Sequence, residues 1–289
     1  MSDITRVGVV GCGLMGSGIA EVCARAGLDV VVREIDEQAA TSGNGRIVAS
    51  LARAVKAGKL TAEDQDDALA RLTVTTRLDD LAGCDLVIEA ATENPEVKAA
   101  LFAELDRVVR RPDAILATNT SSIPIVQVAQ ATTRPAQVVG LHFFNPVPVQ
   151  KLAELIPSLL TSDETAQRAR DFAAEVLGKT PITAPDRAGF VVNALLVPYL
   201  LAAVRMVEAG QATAEDIDTG MTLGCAHPMG PLKLADLIGL DTLTAIADSL
   251  YGEYRESQYA APPLLRRMTT AGRLGRKTGR GFYDYQEKK

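Results

Sequence analysis

RVGVVGCGLMGSGIA, residues 6–20, passes from a short apolar run through three spaced glycines into a segment with the apolar spacing of a helix. The glycines Gly11, Gly13 and Gly16 form the pattern GxGxxG. The first permits a tight turn, the second lets a pyrophosphate approach the backbone, and the third lets the helix pack closely on the strand. The helix then presents its unpaired N–H groups to the phosphates. We therefore predict a dinucleotide-binding βαβ unit, with Leu14 and Met15 also in the cofactor loop.

The second strand of this unit, LDVVVRE (28–34), ends in Glu34, 23 residues after Gly11. An acid here binds both ribose hydroxyls and repels a 2′-phosphate, which favours NAD. Arg33 could accept a 2′-phosphate or stack on adenine. Neighbouring side chains of a strand point to opposite faces, so Arg33 is expected to face away if Glu34 faces the ribose. The alternative for the whole motif is a glycine turn with no ligand.

A polar, amphipathic stretch over about 36–71 follows, with a break at AGKLTAED where Thr61 and Asp64 form a helix-start signal. It predicts a helical hairpin inserted after the second strand. Apolar runs typical of strands then recur at 84–91, 114–119, 137–144, 151–156 and 180–185. Helical segments lie between most of them, at 94–109, 123–131 and 163–178. This alternation predicts an α/β fold with a mostly parallel, doubly wound, Rossmann-like sheet.

Strand signals stop near residue 186, which predicts a first domain over 1–185 and an all-helical domain over 186–289. Its helices are expected at 191–210, 213–224, 230–254 and 262–272. The segment 191–210 is apolar almost all round, although it contains Asn193 and Pro198. Such a helix is buried in a bundle or at a subunit contact, so we expect a homodimer through the C-terminal helices.

Composition and charge argue against several classes of protein. A net charge of −6 argues against a general affinity for nucleic acid or an anionic membrane. The N-terminus has no signal-peptide pattern and no run approaches ~18 apolar residues, so neither secretion nor a membrane span is expected. The four cysteines are scattered, which predicts free thiols in a cytoplasmic protein and no disulfide frame, zinc site or other metal site.

His142 is one of two histidines in 289 residues and ends the apolar run VVGLH. Ligands of open α/β sheets bind at the carboxyl ends of the strands, which is where His142 is expected. Histidine can take a hydroxyl proton there, and a carboxylate partner would orient the ring. Glu154, 12 residues on, is the only acid between His142 and Asp163, and the turn-forming NPVPVQ would bring it back beside His142.

Structural alternatives exist for each of these residues. His142 could be a packed core group, Glu154 the polar face of a strand, and Ser121 or Ser122 the N-cap of a helix. Asn193, an amide in an apolar helix, must find partners and could be offered to substrate.

The motifs GCGLMGSGIA, NTSSI, GLHFFNPVPV, GFVVNALLVPYL, HPMGP and GRKTGRGFYDY cover the length of the chain. In these the sequence resembles the short-chain (S)-3-hydroxyacyl-CoA dehydrogenases, of the 3-hydroxybutyryl-CoA dehydrogenase type. The resemblance implies that His142 is the catalytic base and Glu154 its partner, and that Ser121 and Asn193 bind the 3-oxygen and thioester region of the substrate. It implies further contacts to NAD from Glu34, Glu93, Lys98, Asn119, Ser121, Asn145 and Lys277. The hairpin would hold the coenzyme A end, with Ser50, Arg53 and Lys56 as candidates.

The chain departs from this family pattern at Gln150, at Ala188 and in the small number of lysines in the hairpin. These departures leave the acyl group and its carrier open. One alternative is the same hydride chemistry on a hydroxyacyl group tethered to an acyl-carrier protein, and another is the oxidation of a free 3-hydroxy acid. An alternative of a different class is a nucleotide-binding protein without turnover.

Overall fold

The computed structural model describes residues 3–286, which divide into two compact units between Arg187 and Ala188. The division lies two residues beyond the predicted boundary. Residue 186 stays with the first unit because the Asp186 carboxylate accepts the backbone N–H groups of Ile125 and Val126, at 2.7 and 2.8 Å. No helix among residues 3–286 combines the length and the apolar character needed to span a membrane.

The first unit contains an eight-stranded sheet in the order β3-β2-β1-β4-β5-β6-β7-β8. All neighbouring strands run parallel except β6 and β7, which are antiparallel. The strands are β1 (Arg6–Val10), β2 (Asp29–Arg33), β3 (Leu72–Thr75), β4 (Leu86–Glu89), β5 (Ile115–Thr118), β6 (Val138–Phe143), β7 (Leu152–Ile156) and β8 (Thr180–Thr183). The helices are α1 (Leu14–Arg25), α2 (Glu37–Lys56), α3 (Ala62–Ala70), α4 (Pro95–Val108), α5 (Ile125–Gln130) and α6 (Asp163–Asp171).

This arrangement confirms the predicted Rossmann-like doubly wound sheet and the inserted hairpin, which is formed by α2 and α3. The Thr61 hydroxyl accepts the N–H of Asp64 at 3.0 Å and the Asp64 carboxylate accepts the N–H of Thr61, so a full capping box begins α3. The central strands read as continuous apolar runs because both faces of the sheet are covered.

In the first unit, two elements differ from the prediction. The strand β3 was not predicted; it is a four-residue edge strand whose residues are only partly buried, so it carries no strong apolar signal. The single helix predicted over 163–178 is instead α6 followed by a π-helical turn at Phe172–Val176.

The second unit is helical, with α7 (Val192–Glu208), α8 (Ala214–Thr219), α9 (Pro231–Ile238), α10 (Leu240–Tyr254) and α11 (Pro263–Thr270). The segment 230–254 forms two helices because Gly239 lies between them at φ +102°, a backbone conformation that ends a helix. The core of this unit includes Val197, Leu201, Leu232, Leu243 and Leu265, each at most 1 % exposed.

Two buried aspartates tie the second unit together. Asp218 accepts the N–H groups of Leu232 and Lys233 at the start of α9 and the hydroxyl of Tyr283. Asp236 accepts the N–H groups of Phe282 and Tyr283 and the hydroxyl of Tyr285. Buried carboxylates therefore hold the start of α9, directly after HPMGP, and the GFYDY segment.

Candidate active site

The glycine loop between β1 and α1 has the geometry that its sequence predicts. Gly11 has φ +86°, and a Cβ there would lie 2.6 Å from the Cα of Ala91. A Cβ on Gly16 would lie 1.8 Å from the carbonyl oxygen of Gly11, so only glycine lets α1 start so close to the loop. A Cβ on Gly13 would meet no atom within 4 Å. The second glycine thus borders open space, where a pyrophosphate can approach the backbone.

Glu34 follows β2 and lies against this loop. Its carboxylate accepts the N–H of Cys12, between the first two glycines, and the N–H of Ile35 at 3.1 Å. A cavity of about 430 Å³ opens beside it, with walls formed by the ends of β2 and β4 and by the exposed side of α4. The cavity is lined by Gly11, Gly13, Arg33, Glu34, Ile35, Ala90, Ala91, Thr92, Val97, Ala100, Leu101 and Glu104. The lining fits an adenosine group, with an acid for the ribose and aliphatic side chains for a flat base.

Arg33 lines this same cavity. The two side chains therefore share one cavity, and the expectation that Arg33 does not face the ribose stays a prediction. Strand alternation applies up to Arg33, the last residue of β2, whereas Glu34 lies beyond the strand. The chain turns there, so the two side chains reach one cavity from different directions.

The buried pair His142 and Glu154 lies on the antiparallel strands β6 and β7, at directly opposed positions. His142 Nδ1 is 2.8 Å from Glu154 Oε2, and the two residues are 6 % and 0 % exposed. The ring of Phe144 packs edge-on against the imidazole, with centroids 4.7 Å apart. The predicted return of Glu154 beside His142 is confirmed. A buried carboxylate on a histidine ring is the arrangement of a general base with an orienting partner.

The loop after β5 carries Asn119 and Ser121 to the same edge of the sheet. The side-chain oxygen of Asn119 accepts the N–H of Phe143 at 2.8 Å, which ties this loop to the residue after His142. Glu93, in the loop after β4, accepts the hydroxyl of Thr120 at 2.6 Å and the N–H of Ser121 at 3.2 Å. The loops that follow β4 and β5 and the last residue of β6 are thus joined by hydrogen bonds.

Neither Ser121 nor Ser122 is the N-cap of α5. The residue at that position is Pro124, and the first N–H groups of the helix are bound by Asp186 instead. The capping reading of the serine pair is therefore wrong. The Asp186 carboxylate, distant in sequence, caps the helix instead, and the two serines lie in the loop beside Asn119.

Lys98 is buried under the site. Its ammonium binds the Glu89 carboxylate and, at 3.2 Å, the hydroxyl of Thr118. Lys98 is 1 % exposed and Glu89 0 %. Glu89 also accepts the N–H groups of Ala91 and Thr92, so this ion pair shapes the turn after β4. The contact of Lys98 with NAD stays a prediction, because its ammonium faces protein groups in this structure.

A second cavity, of about 350 Å³, lies between α1, α2 and the loop after β6. Ser50, Arg53 and Asn145 line it together, whereas Lys56 does not. Arg46 also lines it, and its guanidinium donates to the carbonyl oxygen of Cys12 in the glycine loop, from Nη2 at 2.9 Å. Sequence reasoning missed Arg46. Its position one turn before Ser50, on a helix with three predicted ligands, was the available signal.

Lys179, just before β8, was also missed. Its ammonium donates to the carbonyl oxygens of Val147 and Gln150, at 2.6 and 2.7 Å. These carbonyls belong to the turn that joins His142 to Glu154. Lys179 therefore holds the turn that sets the register of the pair.

Asn193 and Lys277 belong to the second unit. Asn193 lies in the first turn of α7 and is half-buried. The ammonium of Lys277 pairs with the carboxylate of Asp241 at 2.5 Å and is about half exposed. Their contacts with substrate and NAD stay predictions.

Both units match models of known protein families. Residues 6–187 match the model of the NAD-binding domain of 3-hydroxyacyl-CoA dehydrogenases, and residues 189–285 match the model of the C-terminal domain of the same enzymes.

Full-length relatives are similar throughout. The chain is 60 % identical over 286 residues to the 3-hydroxybutyryl-CoA dehydrogenase of Mycobacterium tuberculosis, covering 99 % of this chain and 100 % of the relative. The crystal structure of M. tuberculosis FadB2 superposes with a TM-score of 0.97 at 60 % identity, covering 98 % of this chain and 99 % of that one. The structure of the (S)-3-hydroxybutyryl-CoA dehydrogenase PaaH1 from Ralstonia eutropha gives a TM-score of 0.93 at 47 % identity, covering 99 % of this chain and 100 % of that one. The chain therefore belongs to the 3-hydroxyacyl-CoA dehydrogenase family.

Proposed function

We propose that this chain interconverts (S)-3-hydroxyacyl-CoA and 3-oxoacyl-CoA with NAD, and that its substrates are the short-chain pair 3-hydroxybutyryl-CoA and acetoacetyl-CoA. The observation that carries the reaction is the buried His142–Glu154 pair at the same edge of the sheet as the glycine loop. The short acyl chain is supported by the names of the relatives.

His142 moves the proton in this reaction. Because Nδ1 faces the Glu154 carboxylate, the proton of the neutral ring belongs on Nδ1, and the lone pair that accepts the substrate hydroxyl proton is on Nε2. The imidazolium that forms is stabilised by Glu154, which is held opposite it by strand pairing. NAD, when bound, supplies the two-electron acceptor for the same substrate carbon.

Other side chains position the reactants. Gly11, Gly13 and Gly16, with Leu14 and Met15 beside them, would hold the pyrophosphate, and Glu34 the adenosine ribose. Ser121, in the loop bound by Glu93, and Asn193, on the first turn of α7, are our candidates for binding the substrate oxygens. Asn119 and Asn145 would contact the cofactor at the carboxyl ends of β5 and β6.

The replacement His142→Gln tests the proton role. Loss of a general base normally costs ~10²–10⁴-fold in rate, so the turnover of acetoacetyl-CoA with NADH, followed at 340 nm, should fall by that factor. Binding of NADH, followed by its fluorescence, should stay within about threefold. A variant active within about tenfold of wild type would exclude His142 as the base. A wild-type protein that binds NADH and reduces no 3-oxoacyl thioester would favour a nucleotide-binding protein without turnover.

The carrier of the acyl group is tested separately. We propose that Ser50 and Arg53, which line the cavity beside α2, hold the coenzyme A end, with Lys56 further along the helix. Acetoacetyl-CoA should then react faster than free acetoacetate, and Arg53→Ala should raise KM for the CoA thioester only. Equal rates on both substrates would contradict a CoA site. Faster turnover of acetoacetyl-acyl-carrier protein than of acetoacetyl-CoA would point to the biosynthetic alternative.

We further propose a homodimer formed through the C-terminal helices, in the cytoplasm. The second unit exposes large apolar side chains, among them Leu195 at 72 % and Leu223 at 82 %, which a partner surface would cover. The four cysteines are free, which is typical of a reducing compartment.

A further inference from the structure

Arg33 enters the cofactor cavity with a side-chain nitrogen that has no partner. Its Nε is shielded from solvent and makes no hydrogen bond among the described residues. A buried donor without an acceptor is costly, and such groups are rare in native proteins unless a ligand completes them. Its carbonyl oxygen, in contrast, accepts the N–H of Gly11 at 2.9 Å, so the backbone of Arg33 is hydrogen-bonded to the glycine loop.

Strand alternation decides the side from which Arg33 enters. The neighbouring Val32 belongs to the core that packs against α1. Arg33 therefore points to the other face of the sheet, toward α4, whose residues Val97, Leu101 and Glu104 also line the cavity. We call the Arg33 side of the cavity its floor and the Glu34 side, beside the glycine loop, its rim.

The walls of the cavity suit a flat base. Ile35 is 74 % exposed and Val97 55 % exposed, although both are aliphatic. A planar aromatic ring between them would cover this apolar surface. The ring nitrogens of adenine are hydrogen-bond acceptors, and they need donors from the floor, which a guanidinium supplies.

A ribose 2′-phosphate is a poor alternative occupant for Arg33. Glu34 is fixed by the N–H groups of Cys12 and Ile35, so its negative charge stays at the ribose position. The dianion of a 2′-phosphate would meet that charge at the rim and would be repelled.

We infer that Arg33 binds the adenine base of the dinucleotide by donating to it from the floor of the cavity, and that Glu34 alone discriminates against a 2′-phosphate. The inference rests on the proposed use of NAD and extends it to the group that Arg33 recognises.

Arg33→Leu tests the contact through binding constants of the whole protein for NADH, NADPH, AMP and reduced nicotinamide mononucleotide. Loss of a hydrogen bond from a charged donor corresponds to about tenfold or more in Kd. We expect NADH, NADPH and AMP to bind about tenfold more weakly, in equal proportion, and the mononucleotide, which lacks adenosine, to bind unchanged. Arg33→Lys should recover part of the loss. Glu34→Gln should tighten NADPH relative to NADH, a ratio that Arg33→Leu should leave within about twofold.

The control is Arg107→Leu, which removes a positive charge from the exposed side of α4 outside the cavity. It should leave all four constants unchanged. The thermal unfolding midpoint of ligand-free Arg33→Leu should not fall, because the lost nitrogen has no partner in the folded protein.

Three results would overturn the inference. A loss confined to NADPH would assign Arg33 to the 2′-phosphate. Equal weakening of the mononucleotide would show a general effect on the fold of the loop. Unchanged constants for AMP and NADH would exclude any contact. A protein that binds NADH but reduces no thioester would contradict the proposed function alone, and the Kd values would still decide the Arg33 contact.

Discussion

Glu154 occupies a strand position that would ordinarily carry an apolar side chain, and it is fully buried. A buried carboxylate is costly unless it is paired, and its pairing here with His142 explains why the acid stands in the strand. The separation of 12 residues along the chain becomes direct opposition because β6 and β7 are antiparallel and joined by a short turn.

Replacing Glu154 by Gln tests this pair. The amide keeps the shape of the side chain but removes the charge that stabilises the imidazolium, so we expect kcat to fall by ~10²–10⁴-fold with little change in KM. Steady-state kinetics with acetoacetyl-CoA and NADH would measure both constants. Glu164→Gln, at the exposed start of α6, should behave as wild type. A Glu154→Gln enzyme within threefold of wild type would rule out the partner role.

A second prediction at the residue scale concerns the reactivity of the four cysteine thiols. Burial raises the pKa of Cys23 to about 12 and contributes most to raising the pKa of Cys12 and Cys84 to about 11, whereas Cys225 is exposed. Native protein at pH 8 should therefore show one fast thiol toward a disulfide reagent, absent in Cys225→Ser, and unfolded protein four. Two or more fast native thiols would contradict the burial.

The same shifts set a pH dependence of stability. In the unfolded chain these thiols lose their protons from about pH 8.5 upward, whereas the native state holds them to about pH 11 or 12. The unfolded state then binds fewer protons, so the free energy of unfolding should fall as the pH rises from 8 to 10. Urea denaturation at the two pH values measures this.

At the scale of elements, the glycine loop determines how closely α1 can pack against the end of β1. Gly16 touches the carbonyl of Gly11 so closely that a methyl group cannot be accommodated without moving the helix. The turn between β6 and β7 is held in a comparable way by the two hydrogen bonds from Lys179.

Gly16→Ala should therefore displace α1 and weaken NADH binding by at least tenfold, with a loss of stability, as measured by NADH fluorescence and thermal unfolding. Gly252→Ala, in α10, is the matched control, because a Cβ there meets no atom within 4 Å. That change should leave binding intact and stabilise the protein by ~0.5–1 kcal/mol through helix propensity. Unimpaired NADH binding by Gly16→Ala would show that the close contact is not needed.

At the scale of the whole molecule, the two units have different architectures. The first is a sheet covered by helices and the second is a helical bundle, and both expose aliphatic side chains to solvent. A single apolar side chain that is more than two-thirds exposed needs no explanation. Leu195 and Leu223 are both exposed to this extent and both belong to the second unit, which is why we propose that this unit forms the dimer contact.

Leu223→Lys tests the proposed dimer. A charge in an apolar subunit contact is destabilising, so sedimentation equilibrium should show twice the mass of the chain for wild type and a shift toward the monomer for the variant. Leu159→Lys, at a 96 % exposed position of the first unit, should leave the mass unchanged. A monomeric wild type, or a Leu223→Lys variant that stays dimeric, would contradict the proposed interface.

The amino-acid sequence by itself determined the βαβ unit, the glycine loop, the helical hairpin, the change of pattern near residue 186 and the candidate pair His142 and Glu154. These features could be predicted because each depends on a pattern within a short stretch of sequence, such as the period of an apolar run, the spacing of three glycines or an acid at the end of a strand. Only the tertiary structure decided that Asp186 and not a serine binds the start of α5, that Lys98 is buried on Glu89, and that Arg33 shares a cavity with Glu34. These contacts depend on which faces of the helices and strands pack together in the folded protein. The partner of a charged side chain can lie far away in the sequence, where no local pattern predicts it.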